Sequence, residues 1–356
     1  MTTVTSYPGI YIEEDNLPTF SVNSSPTAVP AFVMERASGP VQTKFTRVNS
    51  WADFKAAVPD DYTGKYTYYD ALRYWFSQGG GYCYLVDYPQ LDQLDKYDDI
   101  TLVVASNHNT HIFSKLDAVV GSGKKRFVLL DGPQEQITGS STPATLMADY
   151  PASPCAAAWY PWLKAEWSKK LIPPSVAAAV AIAQTDRNRG VWKAPANVVL
   201  NGLTPQFNVS DDLQGQYNSG KALNMFRNFP GSGTVAWGAR TLEDSDNWRY
   251  IPVRRLFSSV EKDISRALNN LVFEPNSQPT WQRVRVVIDN YLHKLWQQGA
   301  LAGSTPAEAW FVQTGKDITM TDDDINQGVM KINVGLAASR PAEFIVLQFT
   351  QSLNQP

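Results

Sequence analysis

Both ends of this chain read as β-strands with no obvious partner inside it, and this limits the possible folds more than any internal motif. Thr2-Thr3-Val4-Thr5-Ser6-Tyr7-Pro8-Gly9-Ile10-Tyr11-Ile12-Glu13-Glu14 opens the sequence. Glu343-Phe344-Ile345-Val346-Leu347-Gln348-Phe349-Thr350-Gln351-Ser352-Leu353 nearly closes it, and both segments are rich in β-branched and aromatic residues. Termini are ordinarily polar and frayed. After Glu343 the closing segment carries no charge or proline to blunt a sheet edge, so left unpaired it is an aggregation hazard. Either the two ends pair in the chain's own sheet, or they are arms that add strands to neighbouring copies. The second arrangement makes the chain a building block.

At 356 residues the chain exceeds one ordinary core, so two domains plus arms are expected. Its 31 basic and 34 acidic side chains include no lysine or arginine block, which argues against a nucleic-acid groove or an anionic membrane surface. Cys83 and Cys155 are too few for a disulfide framework, and as buried free thiols they fit a reducing cytoplasm. The N-terminus has no basic region followed by an apolar stretch, and no apolar run approaches the roughly 20 residues that span a bilayer. Val176 to Ala183 reads instead as a buried core helix. The 11 Trp, 16 Tyr and 15 Phe imply large packed surfaces, intersubunit ones included.

Along the chain, Leu17 to Pro30 reads as an extended connector, Val29 to Met34 as a strand, and Asn49-Ser50 as a cap for a helix over Trp51 to Val58. A helix from Tyr68 to Ser77 ends at Gly79-Gly80-Gly81, which admit a buried strand over Tyr82 to Val86. Strands over Lys125 to Leu130 and Ala156 to Trp162, a helix over Ser175 to Ala183 and a strand over Val198 to Leu200 complete an α/β alternation. Thr185 to Asn197 reads as a polar turn between the last two, and residues 201 to 233 are turn-rich without a clear element. In Val253 to Leu271 a stripe of Leu256, Val260, Ile264, Ala267, Leu268 and Leu271 predicts one amphipathic helix; Glu274-Pro275-Asn276 ends it. A second, over Thr280 to Gln298, points Trp281, Val284, Val287, Ile288, Tyr291, Leu292 and Leu295 inward and stops at Gly299. This helical hairpin on a small sheet, with strands over Trp310 to Thr314, Val329 to Leu336 and the closing segment, predicts an α+β domain.

No chemistry-bearing motif completes itself. Gly121-Ser122-Gly123-Lys124 lacks the glycine a phosphate loop needs, Ala118 standing in its place, and Lys125 stands where a hydroxyl is required, so it reads as a turn. Asp322-Asp323-Asp324-Ile325-Asn326-Gln327-Gly328 has its glycine one position late for a calcium loop, with Asn333 in place of the closing glutamate, and reads as a solvated turn. His108 and His111 lack cysteine or carboxylate partners at ligand spacing and read as a polar loop. There is no Gly-x-Ser-x-Gly elbow, and His293 lies on the polar face of the second predicted helix. No catalytic residue, cofactor or metal site is expected.

Several strings together carry more. Tyr7 to Glu14, Thr185-Asp186-Arg187-Asn188-Arg189-Gly190-Val191-Trp192-Lys193-Ala194-Pro195-Ala196-Asn197, Val235-Ala236-Trp237-Gly238-Ala239-Arg240-Thr241-Leu242, and Val253-Arg254-Arg255-Leu256 resemble tail sheath proteins of contractile phages and related injection machines. Phe273-Glu274-Pro275-Asn276, Gly299-Ala300-Leu301-Ala302-Gly303 and Arg340-Pro341-Ala342-Glu343-Phe344-Ile345 continue the match in family order, while residues 90 to 150 contribute little. Taken singly these are scaffold motifs: Arg240, Arg254 and Arg255 read as salt-bridged structural residues, and Gly238 as a close-packing site.

The resemblance implies a fold of α/β plus α+β class: an N-terminal linking arm at 1–20, an α/β sheath domain of subtilisin-like fold at 21–245, and a C-terminal domain at 246–356 ending in a linking strand at 343–353. It implies hexameric rings stacked around an inner tube, contraction that drives the tube through a target envelope, and assembly in the bacterial cytoplasm into a particle that is released. Partners implied are the chain itself, the tube protein, baseplate and terminator or cap proteins, and sheath paralogues; nucleic acid and membrane insertion are not among them. The arms would link subunits through Tyr7, Pro8, Gly9, Ile10, Tyr11 and Ile12 at one end, and Phe344, Ile345, Val346, Leu347 and Phe349 at the other, with Lys294 and Glu308 as tube-facing charges. Leu17 to Pro30 and Ala338-Ser339-Arg340-Pro341 would be the hinges. The length is similar to compact sheaths of R-type bacteriocins and of antifeeding or virulence-cassette particles. A hydrolase of subtilisin-like fold and a surface-binding fibre or adhesin are the competing readings.

Overall fold

Strand β1 (Pro30–Met34) sends alternate side chains into two different layers, as the period of an extended chain requires. Phe32 and Met34 enter one apolar layer and Ala31 and Val33 the other, all five residues of the strand being buried. The computed structural model describes residues 21–35, 45–138 and 141–343. After β1 come β2 (Phe45–Val48), β3 (Cys83–Asp87), β4 (Leu102–Val104), β5 (Phe127–Asp131), β6 (Ala156–Tyr160), β7 (Leu163–Lys164), β8 (Val198–Val199), β9 (Thr204–Pro205), β10 (Leu223–Phe229) and β11 (Gly233–Trp237). Nine of these form one sheet in the order β2-β3-β1-β4-β5-β6-β10-β11-β8. Its centre, from β3 to β10, is parallel, and antiparallel β2 and β11 flank it. A parallel sheet has both faces covered, which is why its strands read as unbroken apolar runs.

Helices Thr67–Ser77 and Pro174–Arg189 cover one face, where Trp75, Trp159 and Phe226 are buried. Trp75 is locked by the glycine turn that follows it. Its Nε1 donates to the Gly81 carbonyl at 2.7 Å, and a Cβ on Gly80 would lie 2.3 Å from its ring, so only glycine fits there. Leu91, Leu94, Ile112 and Val119 close the other face.

A third apolar cluster belongs to the last part of the chain. Helices Ile251–Leu268 and Gln278–Gln297 pack through Leu256, Val260, Ile264, Val284, Ile288 and Leu292. Against them lies an antiparallel pair, β12 (Trp310–Gln313) and β13 (Asn333–Leu336), in the register Phe311 opposite Gly335.

Three expectations change. The helix expected to end at Ala183 runs to Arg189 and stops at Gly190, whose φ is +95°; its last turns are polar because they carry contacts to other elements, so polarity there does not signal a turn. Within 201–233, β10 is a seven-residue inner strand and Ser210 caps the short Asp211–Gln216 helix. The triple aspartate is a helix, Asp322–Asn326, with a capping box from Thr321 and Asp324. That helix takes the Val329 N–H on the Asp324 carbonyl at 2.8 Å, so β13 begins only at Asn333.

Candidate functional site

The described chain begins and ends next to its two expected arms, and both junctions are fastened by polar groups, buried at the first and partly exposed at the second. At the first, Ser25 N–H donates to Asp263 Oδ1 at 2.9 Å, and the Tyr291 hydroxyl donates to Asp263 Oδ2 at 2.7 Å. Asp263 is 2 % exposed, so these donors replace the water it gives up. Burial, and next the Asp263 charge, push the Tyr291 hydroxyl pKa upward, keeping it a donor. Two residues on, Thr27 donates its hydroxyl to Asp186 Oδ2, and its carbonyl accepts from Arg255 Nη2 at 2.9 Å and Thr101 Oγ1 at 2.7 Å. Arg255 also forks onto Asp186, Nη1 to Oδ1 at 2.8 Å and Nη2 to Oδ2 at 2.6 Å. The side chains of this pair are 4 % and 5 % exposed. A planar guanidinium suits such a fork, and burial makes losing either partner costly.

At the second junction Ser339 is tied to the loop after the Gln278–Gln297 helix, its N–H to the Ala300 carbonyl at 3.1 Å and its Oγ to the Gly299 carbonyl at 3.0 Å. Glu343 then closes onto Arg240. Its Oε2 accepts Nη2 at 2.7 Å and Nε at 3.0 Å, with the Tyr250 hydroxyl at 3.1 Å, and its Oε1 accepts Asn218 Nδ2 at 3.3 Å. Arg240 Nη1 donates to the Asn218 carbonyl. Beside this clamp opens a cleft of about 480 Å³ lined by Arg189, Trp192, Asn197, Trp237, Gly238 and residues 339–343. Strings far apart in sequence therefore meet at this one place.

The model of the phage tail sheath C-terminal domain matches residues 243–352. No curated protein matches the chain. Among solved structures, the sheath complex of an extracellular contractile injection system, PVC, in its contracted state is 50% identical with a TM-score of 0.90, covering 99% of both chains. A chain of the contracted anti-feeding prophage baseplate is 56% identical with a TM-score of 0.90, covering 98% of this chain and 100% of its own. The chain belongs to the phage tail sheath family. A chain of the contracted anti-feeding prophage helical sheath, 44% identical over 98% of this chain and 100% of its own with a TM-score of 0.82, adds to the same assignment.

Within this sheath protein the family strings have definite work. Asp186 and Arg255 fasten the first junction. Arg240 and Glu343 fasten the second, and a Cβ on Gly238 would approach Asn224 Oδ1 to 2.7 Å, so this glycine is a close-packing site. Arg254 lies over the Trp248 ring at 4.6 Å and reaches Glu261 at 3.5 Å. Tyr7 to Ile12 of one arm, and Phe344, Ile345, Val346, Leu347 and Phe349 of the other, lie outside the described residues. Lys294 and Glu308 are exposed, with Glu308 Oε2 accepting the Ser304 N–H at 2.7 Å, and no ion pair joins the two among the described residues.

The hinge expectations shift. Ser25 to Pro30 is bound to three elements, and Ala338-Ser339 is bridged to Gly299–Leu301, so neither stretch is a free pivot. Sequence reasoning named Asp186 and Glu343 only within family strings, without partners, and passed over Asp263 and Tyr250. One signal was present: Asp263 stands beside Ile264 and three residues after Val260, on the buried stripe of its helix, and a carboxylate there needs donors.

The chemical motifs resolve into structural contacts. Lys124 pairs with Asp95 at 2.7 Å, and the His111 ring stacks on Tyr88 at 3.8 Å. Asp131 accepts from Ser175 N–H at 2.7 Å and Asn107 N–H at 2.8 Å, both backbone donors. Burial pushes this carboxyl up to about 6. Ser175 is 0% and Asp131 2% exposed, so the two sit in the packed interior.

The Glu343 clamp is testable in solution. Glu343→Gln removes the charge from its contacts and is expected to loosen the junction by about 1.5 kcal/mol, the worth of a hydrogen bond to a charged group. Hydrogen exchange at 337–343 then rises about tenfold, with the rest of the chain unchanged. Unchanged exchange there would show that Ser339 alone holds the strand root.

Proposed function

We propose that this sheath protein is a structural subunit of a contractile sheath, stacking in hexameric rings around an inner tube and carrying that tube through a target envelope as the rings repack. The observation that carries the reading is the similarity, over nearly the whole of both chains, to the contracted PVC and anti-feeding prophage proteins. The α/β body at 21–245 and the C-terminal body at 246–356 act as the moving parts, and the arms at 1–20 and 343–353 as tethers that stay paired while the bodies swing. The fastened junctions favour this division of labour, since a tether transmits force only if its root holds. Inner-tube contact is assigned to the C-terminal body, with Lys294 and Glu308 as candidates, and baseplate and terminator proteins to the ends of the stack. Assembly takes place in the bacterial cytoplasm and the completed particle is released.

Negative-stain microscopy of the purified, overexpressed protein tests this directly. Hollow helical tubes are expected, whereas a monodisperse monomer persisting at high concentration would overturn the reading.

A further inference from the structure

The Gly121-Ser122-Gly123-Lys124 turn borders a cleft of about 560 Å³, which opens between the residues leading into β5 and the second half of the Ile251–Leu268 helix. Its cations fall into two groups. Lys124 and Arg126 share Asp95, at 2.7 and 2.8 Å. Lys125, Lys262 and Arg266 have no ion pair among the described residues. Lys125 reaches Ser265 Oγ at 3.4 Å and Arg266 donates to Ser25 Oγ at 2.8 Å, both neutral acceptors, and the Lys262 ammonium makes no hydrogen bond among the described residues. Asp98 at the edge, with Asp99 and Asp263 near Lys262, offsets part of this charge. Burial and the like charge of Arg266 push the Lys262 pKa down, with Asp99, Asp263 and Asp98 acting the other way. The Lys262 ammonium faces the cleft without a hydrogen-bond acceptor among the described residues, and a carboxylate seated on it would supply a charge-assisted one.

The path of the chain identifies the carboxylates. Ser25, held by Arg266, stands at the edge of this cleft, and with Thr27, Lys125 and Lys262 it lines an adjoining recess. Ten residues before Ser25 the sequence carries Glu13-Glu14-Asp15. The other acidic triplet has partners of its own, Asp322 with Lys316 at 2.6 Å and Asp324 with Lys331 at 2.7 Å. Ten residues span up to about 35 Å, which leaves ample slack for a return to the cleft. A tethered segment also has an effective concentration in the millimolar range, on the order of what weak ion pairing needs.

We propose that Glu13-Glu14-Asp15 docks into the cleft of its own chain, on Lys125, Lys262 and Arg266. The base of the N-terminal arm is then clamped, and the residues before Glu13 are the part that reaches another subunit.

Carbodiimide coupling of the full-length protein, in an equal mixture of isotope-labelled and unlabelled chains, tests this by mass spectrometry. Amide cross-links from Glu13, Glu14 or Asp15 to Lys262 or Lys125 are expected within one label and to fade at high salt. Their absence, or cross-links distributed between labels as in random pairing, would overturn the proposal. A protease that cleaves after glutamate gives a second readout: Lys262→Glu is expected to speed cleavage at Glu13 and Glu14 about tenfold, and equal rates would count against the clamp. Both readouts report on one chain whether or not tubes form, so their failure is distinct from a failure of sheath assembly.

Discussion

Arg255→Ala is expected to lower the free energy of unfolding by about 3–5 kcal/mol, the cost of leaving one partner of a buried ion pair alone. The guanidinium makes three of the contacts at the first junction, two to the Asp186 carboxylate through separate nitrogens, one of those nitrogens also reaching the Thr27 carbonyl, and all at low exposure. Removing it strands the Asp186 charge and frees the segment that carries β1 into the sheet. Arg255→Lys keeps the charge but loses the fork, so it is expected to fall between the two. Adding Asp186→Ala to Arg255→Ala should recover part of the loss, because the stranded carboxylate goes with it. Chemical denaturation measures all four proteins. If Arg255→Ala costs no more than an exposed substitution, about 0.5 kcal/mol, the pair does not fasten this junction.

Deleting residues 1–14, or replacing both Ile345 and Leu347 with lysine, is expected to leave a folded subunit that forms no tubes. The described residues of the three apolar clusters lie between Val22 and Ala338, and both variants keep all of them. What each removes, on the proposed reading, is a strand that completes a neighbour's sheet, and lysine on an edge blocks pairing. Circular dichroism reports the fold and electron microscopy the assembly. Normal tubes from either variant would mean that the ends are not the links.

Much of this architecture was legible because burial leaves a period in the sequence. The unbroken apolar run through Pro30–Met34, the stripe of Leu256, Val260 and Ile264, and the glycines that end the Thr67–Ser77 helix each gave the right element in about the right place. Where polar residues serve a distant element the period fails. Thr185, Asp186 and Arg187 look like a turn, yet they continue a helix so that Asp186 can meet Arg255 and Arg187 can reach the Gly79 carbonyl at 2.6 Å. The inner strand β10 was missed for a related reason: Asn224 and Arg227 interrupt its apolar run, and Asn224 is buried at 3% because its amide bonds the Ala158 and Arg240 carbonyls.

By itself the sequence determined the two-part α/β plus α+β order and the family, since apolar spacing and contiguous strings are local properties that a linear reading captures. Only the tertiary structure decided what the family strings are for. Thr27 and Arg255 are 228 positions apart and Arg240 and Glu343 are 103 apart. No periodicity links such pairs. A buried charge announces that it needs a partner, but the partner is chosen by the packing of sheet against helix, and that packing brings the roots of both arms to Asp186, Asp263 and Arg240.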